Sequence, residues 1–180
     1  MRKVTAGLFS SIDGVVEAPN EWQHAFDPEM GAALSRMLDE QDAVLLGRVT
    51  WSEWAGYWPT STDEPFASWI NATPKYVAST TLNEPLEWNA TLIKGDLAEA
   101  VPELKRRHRG NLVSYGCGEL AYHLVKHGLA DEVQFWIHPW IWGSGARPFH
   151  GEAPVPLRLT SATTYGSGVA QLCYRPEEKE

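Results

Sequence analysis

Two short stretches bring together the residue types that grip phosphate. Gly47-Arg48-Val49-Thr50 follows directly on the apolar run over residues 43–46. Gly116-Cys117-Gly118-Glu119 follows the apolar segment 112–115 in the same way. A glycine lets a ligand approach the backbone, and a helix N-terminus offers unpaired N–H groups with a positive dipole end. Arg48 adds a planar cation able to hold phosphate through two hydrogen bonds. Asp13, just before Gly14 and beyond the first expected strand, is an acid that could take part in proton transfer. Trp22, Trp51 and Trp54 are flat surfaces on which a heterocycle could stack.

Each of these residues has a plainer role open to it. Gly47 is equally suited to a tight turn and Arg48 to an exposed surface. Thr50 and Glu53 match a capping box, in which the hydroxyl closes the helix instead of meeting a ligand. Asp13-Gly14 is a common turn pair, and the three tryptophans suit a core. Gly116-Cys117-Gly118 is too short for the dinucleotide fingerprint. Cys117 reads as a packing residue before an oxidisable one. His123 and His127 have the four-residue spacing of a metal pair, but no glutamate follows His123 as the helical zinc motif requires, so no metal is expected.

The elements that must position these residues alternate. Strands are expected over 4–10, 43–46, 75–79, 91–94, 112–115 and 132–138. Between them, helices are expected over 28–41, from 50 to before Pro59, over 65–71, from Asp96 to Gly110 and over 119–127. Asp27-Pro28 is a helix start, while Pro102 predicts a kink or a late start in its helix. Residues 157–175 read as a hairpin around Tyr165-Gly166-Ser167-Gly168. Residues 43–46 are apolar on both faces, as in a central parallel strand. The expected fold is α/β, a mostly parallel central sheet with an antiparallel C-terminal hairpin, in one domain over 1–180. In an open parallel sheet ligands bind beyond the carboxyl ends of the strands, where both glycine stretches fall.

Composition narrows the partners. The chain has 180 residues, 43% hydrophobic and 21% charged, and a net charge of −8. That balance argues against nucleic acid, and the one basic run, Lys105-Arg106-Arg107-His108-Arg109, falls at an expected helix end, where cations complement the dipole. No window approaches the roughly 20 apolar residues of a membrane span. With two cysteines and no leader-like start, the expected location is the cytoplasm.

More of the chain fits one family. Gly47-Arg48-Val49-Thr50-Trp51 resembles the G-R-x-T-[WY] motif of the dihydrofolate reductase superfamily. Ser10-Ser11-Ile12-Asp13-Gly14 resembles the S-[LI]-D-G that ends the first strand in one branch. That branch is related to the reductase (C-terminal) domain of the bifunctional riboflavin-biosynthesis deaminase-reductase. The 75–82 block, the Gly116-Cys117-Gly118-Glu119-Leu120 turn, Gly128-Leu129-Ala130-Asp131-Glu132 and the 139–149 loop resemble further blocks of it, in order. The resemblance implies a dihydrofolate-reductase-like three-layer domain. It implies an NADPH-dependent reductase of a small heterocycle, pteridine or aminopyrimidine-like, acting on C=N or C=O. Gly47, Arg48 and Thr50 would cradle the cofactor phosphates, with Arg48 favouring the 2′-phosphate of NADPH. Ser79 and Thr80 would lie near the adenosine ribose phosphate. Gly116, Cys117, Gly118 and Glu119 would meet the pyrophosphate and nicotinamide. The proton would come from Asp13 or a water it orders. The first long helix offers no aligned acid to hold a pterin, which speaks against folate. The branch also implies a homodimer, with Phe135, Trp136, Trp140 and Trp142 as a possible contact surface. A nucleotide- or heterocycle-binding protein without turnover is the alternative.

Overall fold

The computed structural model describes residues 2–116, 118–149 and 153–177. Eight strands form one sheet in the order β4-β3-β2-β5-β1-β6-β8-β7. β1 (Val4–Ser11), β2 (Gln41–Gly47), β3 (Lys75–Ala78), β4 (Ala90–Ile93), β5 (Asn111–Tyr115) and β6 (Glu132–His138) run parallel. β8 (Ala170–Pro176) lies antiparallel to β6 and to β7 (Leu157–Thr164). This is the expected parallel sheet with an antiparallel hairpin.

The two-residue period of a strand sends alternate side chains to opposite faces. On one face Ala43, Leu45, Leu112 and Val133 pack against α5 (Leu97–Arg107) and α6 (Glu119–Lys126). On the other, Val44, Leu46, Val113 and Tyr115 meet Ile70 of α4 (Phe66–Ala72) and the tryptophans of α3 (Arg48–Tyr57). Phe9 and Trp136 meet Met30, Leu34 and Met37 of α2 (Pro28–Asp39) on the third core cluster. The result is three layers.

Local signals explain most boundaries. Asp27 caps α2 through Met30 N–H at 2.7 Å, and Asp96 caps α5 through Ala98 N–H at 2.8 Å. α2 stops at Asp39, and Gln41 already opens β2. Pro102 lies inside α5, which starts at Leu97, so the expected late start does not occur; its missing N–H leaves one i−4 carbonyl unpaired. A short helix α1 (Pro19–Trp22) and a 3-10 turn (Trp58–Thr60) were too short to read from periodicity. No helix of the described residues is long and apolar enough to cross a membrane.

Candidate functional site

The carboxyl ends of β2 and β5 are neighbours in the sheet, so the two glycine stretches lie side by side. A Cβ built on Gly116 would lie 2.5 Å from Thr50 Oγ1, and one on Gly47 would lie 3.9 Å from Leu120 Cβ of α6. α3 and α6 therefore begin next to each other, each presenting a helix N-terminus to the same space.

Three glycines here differ in kind. Gly116 has φ +91° and abuts Thr50, so the fold itself requires glycine. Gly47 has φ −77° and ψ 163°, extended values open to any residue, whereas Gly118 has φ −87° and ψ −143°, outside both the extended and the helical regions. A Cβ at Gly118 would meet nothing within 4 Å, and at Gly47 only an ordinary contact. The tight-turn explanation of Gly47 is thus removed: neither its backbone conformation nor a close neighbour calls for glycine there.

Gly47, in extended conformation, is the N-cap of α3, and α3 begins at Arg48. The expected capping box at Thr50 does not form: Thr50 lies inside the first turn, with its hydroxyl against Gly116. Arg48 is exposed and has no hydrogen bond or ion pair among the described residues. Ser79 follows β3 at the same edge; its hydroxyl accepts from Thr81 N–H at 3.1 Å and Leu82 N–H at 3.2 Å, holding a turn that leaves Thr80 exposed. Glu119 opens α6 after Gly118, its N-cap. Cys117 lies outside the described residues.

Asp13 sits beyond β1, but its carboxylate is engaged. Ser11 Oγ donates to it at 2.7 Å, Trp142 N–H at 2.9 Å and Gly143 N–H at 2.8 Å. Arg147 approaches at 4.0 Å. These bonds, the Ser11 hydroxyl first and the two loop N–H groups next, hold its pKa well below the ordinary carboxylate range. A carboxylate so held has no proton to give at neutral pH, so the expected role as direct proton donor does not fit. Its visible work is to tie the β6–β7 connection to the end of β1.

The tryptophans also turn out differently. Trp22 is 0% exposed, with its indole N–H donating to Glu17 O at 3.0 Å, so it cannot stack on a ligand in this conformation. Trp51 and Trp54 are partly buried and pack with Trp58, Phe66 and Tyr115 against the cluster over β2 and β5. In the same cluster Tyr115 Oη, Trp51 Nε1 and Trp58 Nε1 are buried without partners among the described residues, and burial pushes the Tyr115 hydroxyl pKa up. Of the residues expected to face a partner copy, Trp136 is buried and Phe135 packs on the core, while Trp140 and Trp142 are exposed, with Ile141 between them. His123 and His127 stack at 4.3 Å, with no third metal-ligand residue grouped with them among the described residues.

His138, which ends β6, was missed. It is fully buried beneath Trp22 and Phe26. Its position at the carboxyl end of a parallel strand was the available signal.

Comparison with known proteins places the chain. Residues 2–171 match the RibD C-terminal domain, and the chain belongs to that family. It is 29% identical over 181 residues to the uncharacterized protein YyaP of Bacillus subtilis strain 168, covering 96% of this chain and 94% of that one. A candidate riboflavin biosynthesis protein of Shewanella sp. PV-4 shares the fold with a TM-score of 0.77 and 20% identity, covering 98% of this chain and 99% of that one. A second fold match is the diaminohydroxyphosphoribosylaminopyrimidine deaminase/5-amino-6-(5-phosphoribosylamino)uracil reductase of Thermotoga maritima, at TM-score 0.69 and 15% identity. That match covers 97% of this chain but 56% of the longer Thermotoga chain. The architecture is the dihydrofolate-reductase-like fold of RibD reductase domains.

Proposed function

We propose that this member of the RibD C-terminal domain family is an NADPH-dependent reductase of a small aminopyrimidine- or pteridine-like heterocycle, acting on C=N or C=O. The observation that carries the reading is the pair Gly47 and Gly118. Each is the N-cap of a helix, the two N-termini are adjacent at the strand ends, and at neither would a Cβ meet a close neighbour. That is the arrangement a phosphate needs to reach backbone N–H groups. The uncommitted guanidinium of Arg48 supplies the charge. The Thermotoga relative's name, a reductase of a phosphoribosylaminouracil, supports the substrate class.

NADPH, when bound, supplies the hydride. Arg48 holds its 2′-phosphate, with the exposed Thr80 and the Ser79 turn beside the adenosine ribose. The backbone of Gly47, Gly118 and Glu119 meets the pyrophosphate; the Glu119 side chain, being an anion, turns away from it. Thr50 and Gly116 set the distance between the two phosphate-binding ends. Asp13 holds the 142–143 backbone in place beside the cleft, and the proton reaches substrate through a water ordered there.

The engaged state of Asp13 favours a second reading, a heterocycle-binding protein without turnover. Tryptophan fluorescence titration with NADPH, followed by NADPH oxidation against aminopyrimidines and pterins, tests both. The panel includes 5-amino-6-(5-phosphoribosylamino)uracil. Binding with oxidation of at least one member is the expected result. Binding with none supports the second reading, and no NADPH binding overturns the reductase reading.

A further inference from the structure

His138 is fully buried, yet neither ring nitrogen has a hydrogen-bond partner among the described residues. Three aromatic rings enclose it: Phe9 at 5.8 Å, Trp22 at 5.7 Å and Phe26 at 5.6 Å between centroids. Burial in that cage, with a smaller contribution from His24, pushes the imidazole down to about 4, so it is neutral near pH 7. A neutral imidazole carries one N–H donor and one acceptor. Leaving each unmet destabilises the fold, which an apolar ring at this position would avoid. Such violations of polar pairing gather at functional sites.

Its place in the sheet is the second observation. His138 is the register partner of Ser11, whose hydroxyl holds Asp13. β1 lies between β5 and β6, so the ends of β5 and β6 are roughly 10 Å apart. A flat heterocycle lying across the end of β1, against a ring held beyond β5, would span that distance.

The cover over His138 is attached lightly. Within residues 18–26 the described hydrogen bonds are all local: Glu21 N–H to Ala18 O, Gln23 N–H to Pro19 O, His24 N–H to Trp22 O and Phe26 N–H to His24 O. Trp22 reaches only to Glu17 O. The ties to the rest of the fold flank the segment. Glu17 accepts from Ala146 N–H at 2.9 Å, and Asp27 from Ser167 N–H at 2.6 Å. Between these ties side-chain packing alone holds the cover down, and Phe26, its outer ring, is 47% exposed.

We propose that His138 is a substrate-contacting residue, whose imidazole hydrogen-bonds the polar edge of the heterocycle when residues 18–26 move aside between Glu17 and Asp27. The proposal rests on the reductase reading. The ligand it selects is a flat ring whose edge carries carbonyl, ring nitrogen or amino groups, which a neutral imidazole matches with either nitrogen.

Diethyl pyrocarbonate labelling of the full chain, mapped by peptide mass spectrometry, tests it, with the exposed His24 and His127 as internal standards. His138 is expected to label more slowly than these, through opening of the cover. Labelling should fall about tenfold when 5-amino-6-(5-phosphoribosylamino)uracil is added with NADPH. In parallel, His138→Phe should weaken binding of that compound about tenfold, the loss of one hydrogen bond. His138→Gln, which keeps a donor and an acceptor, should stay within about threefold of wild type. NADPH affinity should be unchanged in both variants. Compound binding without protection of His138, full affinity in His138→Phe, or no labelling of His138 in any state overturns the proposal and leaves the NADPH site standing. Failure of NADPH to bind overturns the reductase reading, and this proposal with it; failure of the compound alone to bind overturns this proposal and leaves the reductase reading to the rest of the panel.

Discussion

At the amino ends of the strands, charged groups have partners inside the fold; at the carboxyl ends, Arg48 has none among the described residues. Lys75, fully buried at the start of β3, donates to Thr73 O at 2.8 Å and lies 4.2 Å from the centre of the Trp88 ring. Arg2 donates to Lys105 O at 3.0 Å and to Arg109 O at 3.4 Å. Lys105 pairs with Asp131 at 2.8 Å, and Arg106 with Glu103 at 2.7 Å. Asp42 accepts from Arg109 N–H and Gly110 N–H. An open cleft of about 420 Å³ is lined by Arg2, Lys105, Arg106 and Arg109, but three of those four cations are already engaged. Charge at this end serves the helix terminus and the strand starts. Arg48 at the other end is left over, beside Gly47, which the backbone does not need. The difference separates residues that hold the fold from a cation that the fold leaves unengaged.

The two kinds of glycine give the largest test. Gly116→Val should destabilise by about 3 kcal/mol in urea unfolding, because φ +91° and Thr50 both oppose a side chain. Gly47→Ala, at an extended position with room for a Cβ, should leave stability within about 0.5 kcal/mol and weaken NADPH about tenfold. Equal stability losses would erase the distinction between them.

Next comes the buried ammonium. Burial pushes Lys75 from 10.5 down to about 8. The unfolded chain therefore binds more protons between those values, and this group's contribution to stability rises with pH across the window. The gap in stability between wild type and Lys75→Met should change over pH 8 to 10.5 in that direction. A constant gap would mean that the ammonium is not desolvated.

Asp13→Asn should speed amide exchange at Trp142 and Gly143 about tenfold at neutral pH, because one acceptor oxygen is lost. A depressed carboxylate stabilises above its unfolded value and loses that contribution as pH falls through the folded one. Wild-type protection of these amides should therefore persist until strongly acid pH. The smallest effect is expected from Arg106→Ala, whose exposed pair with Glu103 contributes no more than about 0.5 kcal/mol to thermal or urea stability.

Periodicity and caps made the sheet and most helices readable in the sequence. Residues 43–46 announced a central strand, and Asp27 and Asp96 announced helix starts that the structure repeats. The site was readable only as far as its backbone. Gly47 closes β2 and Gly116 follows β5, at the strand ends as expected, because strand and helix alternate along the chain. Side-chain destinations did not follow. Asp13 meets N–H groups 129 and 130 positions away in sequence, a pairing no local pattern encodes. Thr50 matched a capping box, but β2 runs straight into α3 through the extended Gly47, so the helix starts earlier and the cap passes to glycine. In the β6 sequence EVQFWIH nothing tells a caged imidazole from an exposed one.

The central claim is that Arg48 is left over because it reads the 2′-phosphate of NADPH. Fluorescence titration of wild type and Arg48→Ala with NADPH and NADH tests it directly. The account predicts that the substitution weakens NADPH by about tenfold or more, leaves NADH nearly unchanged and does not alter the melting temperature. Equal weakening of the two nucleotides, or none, would contradict it.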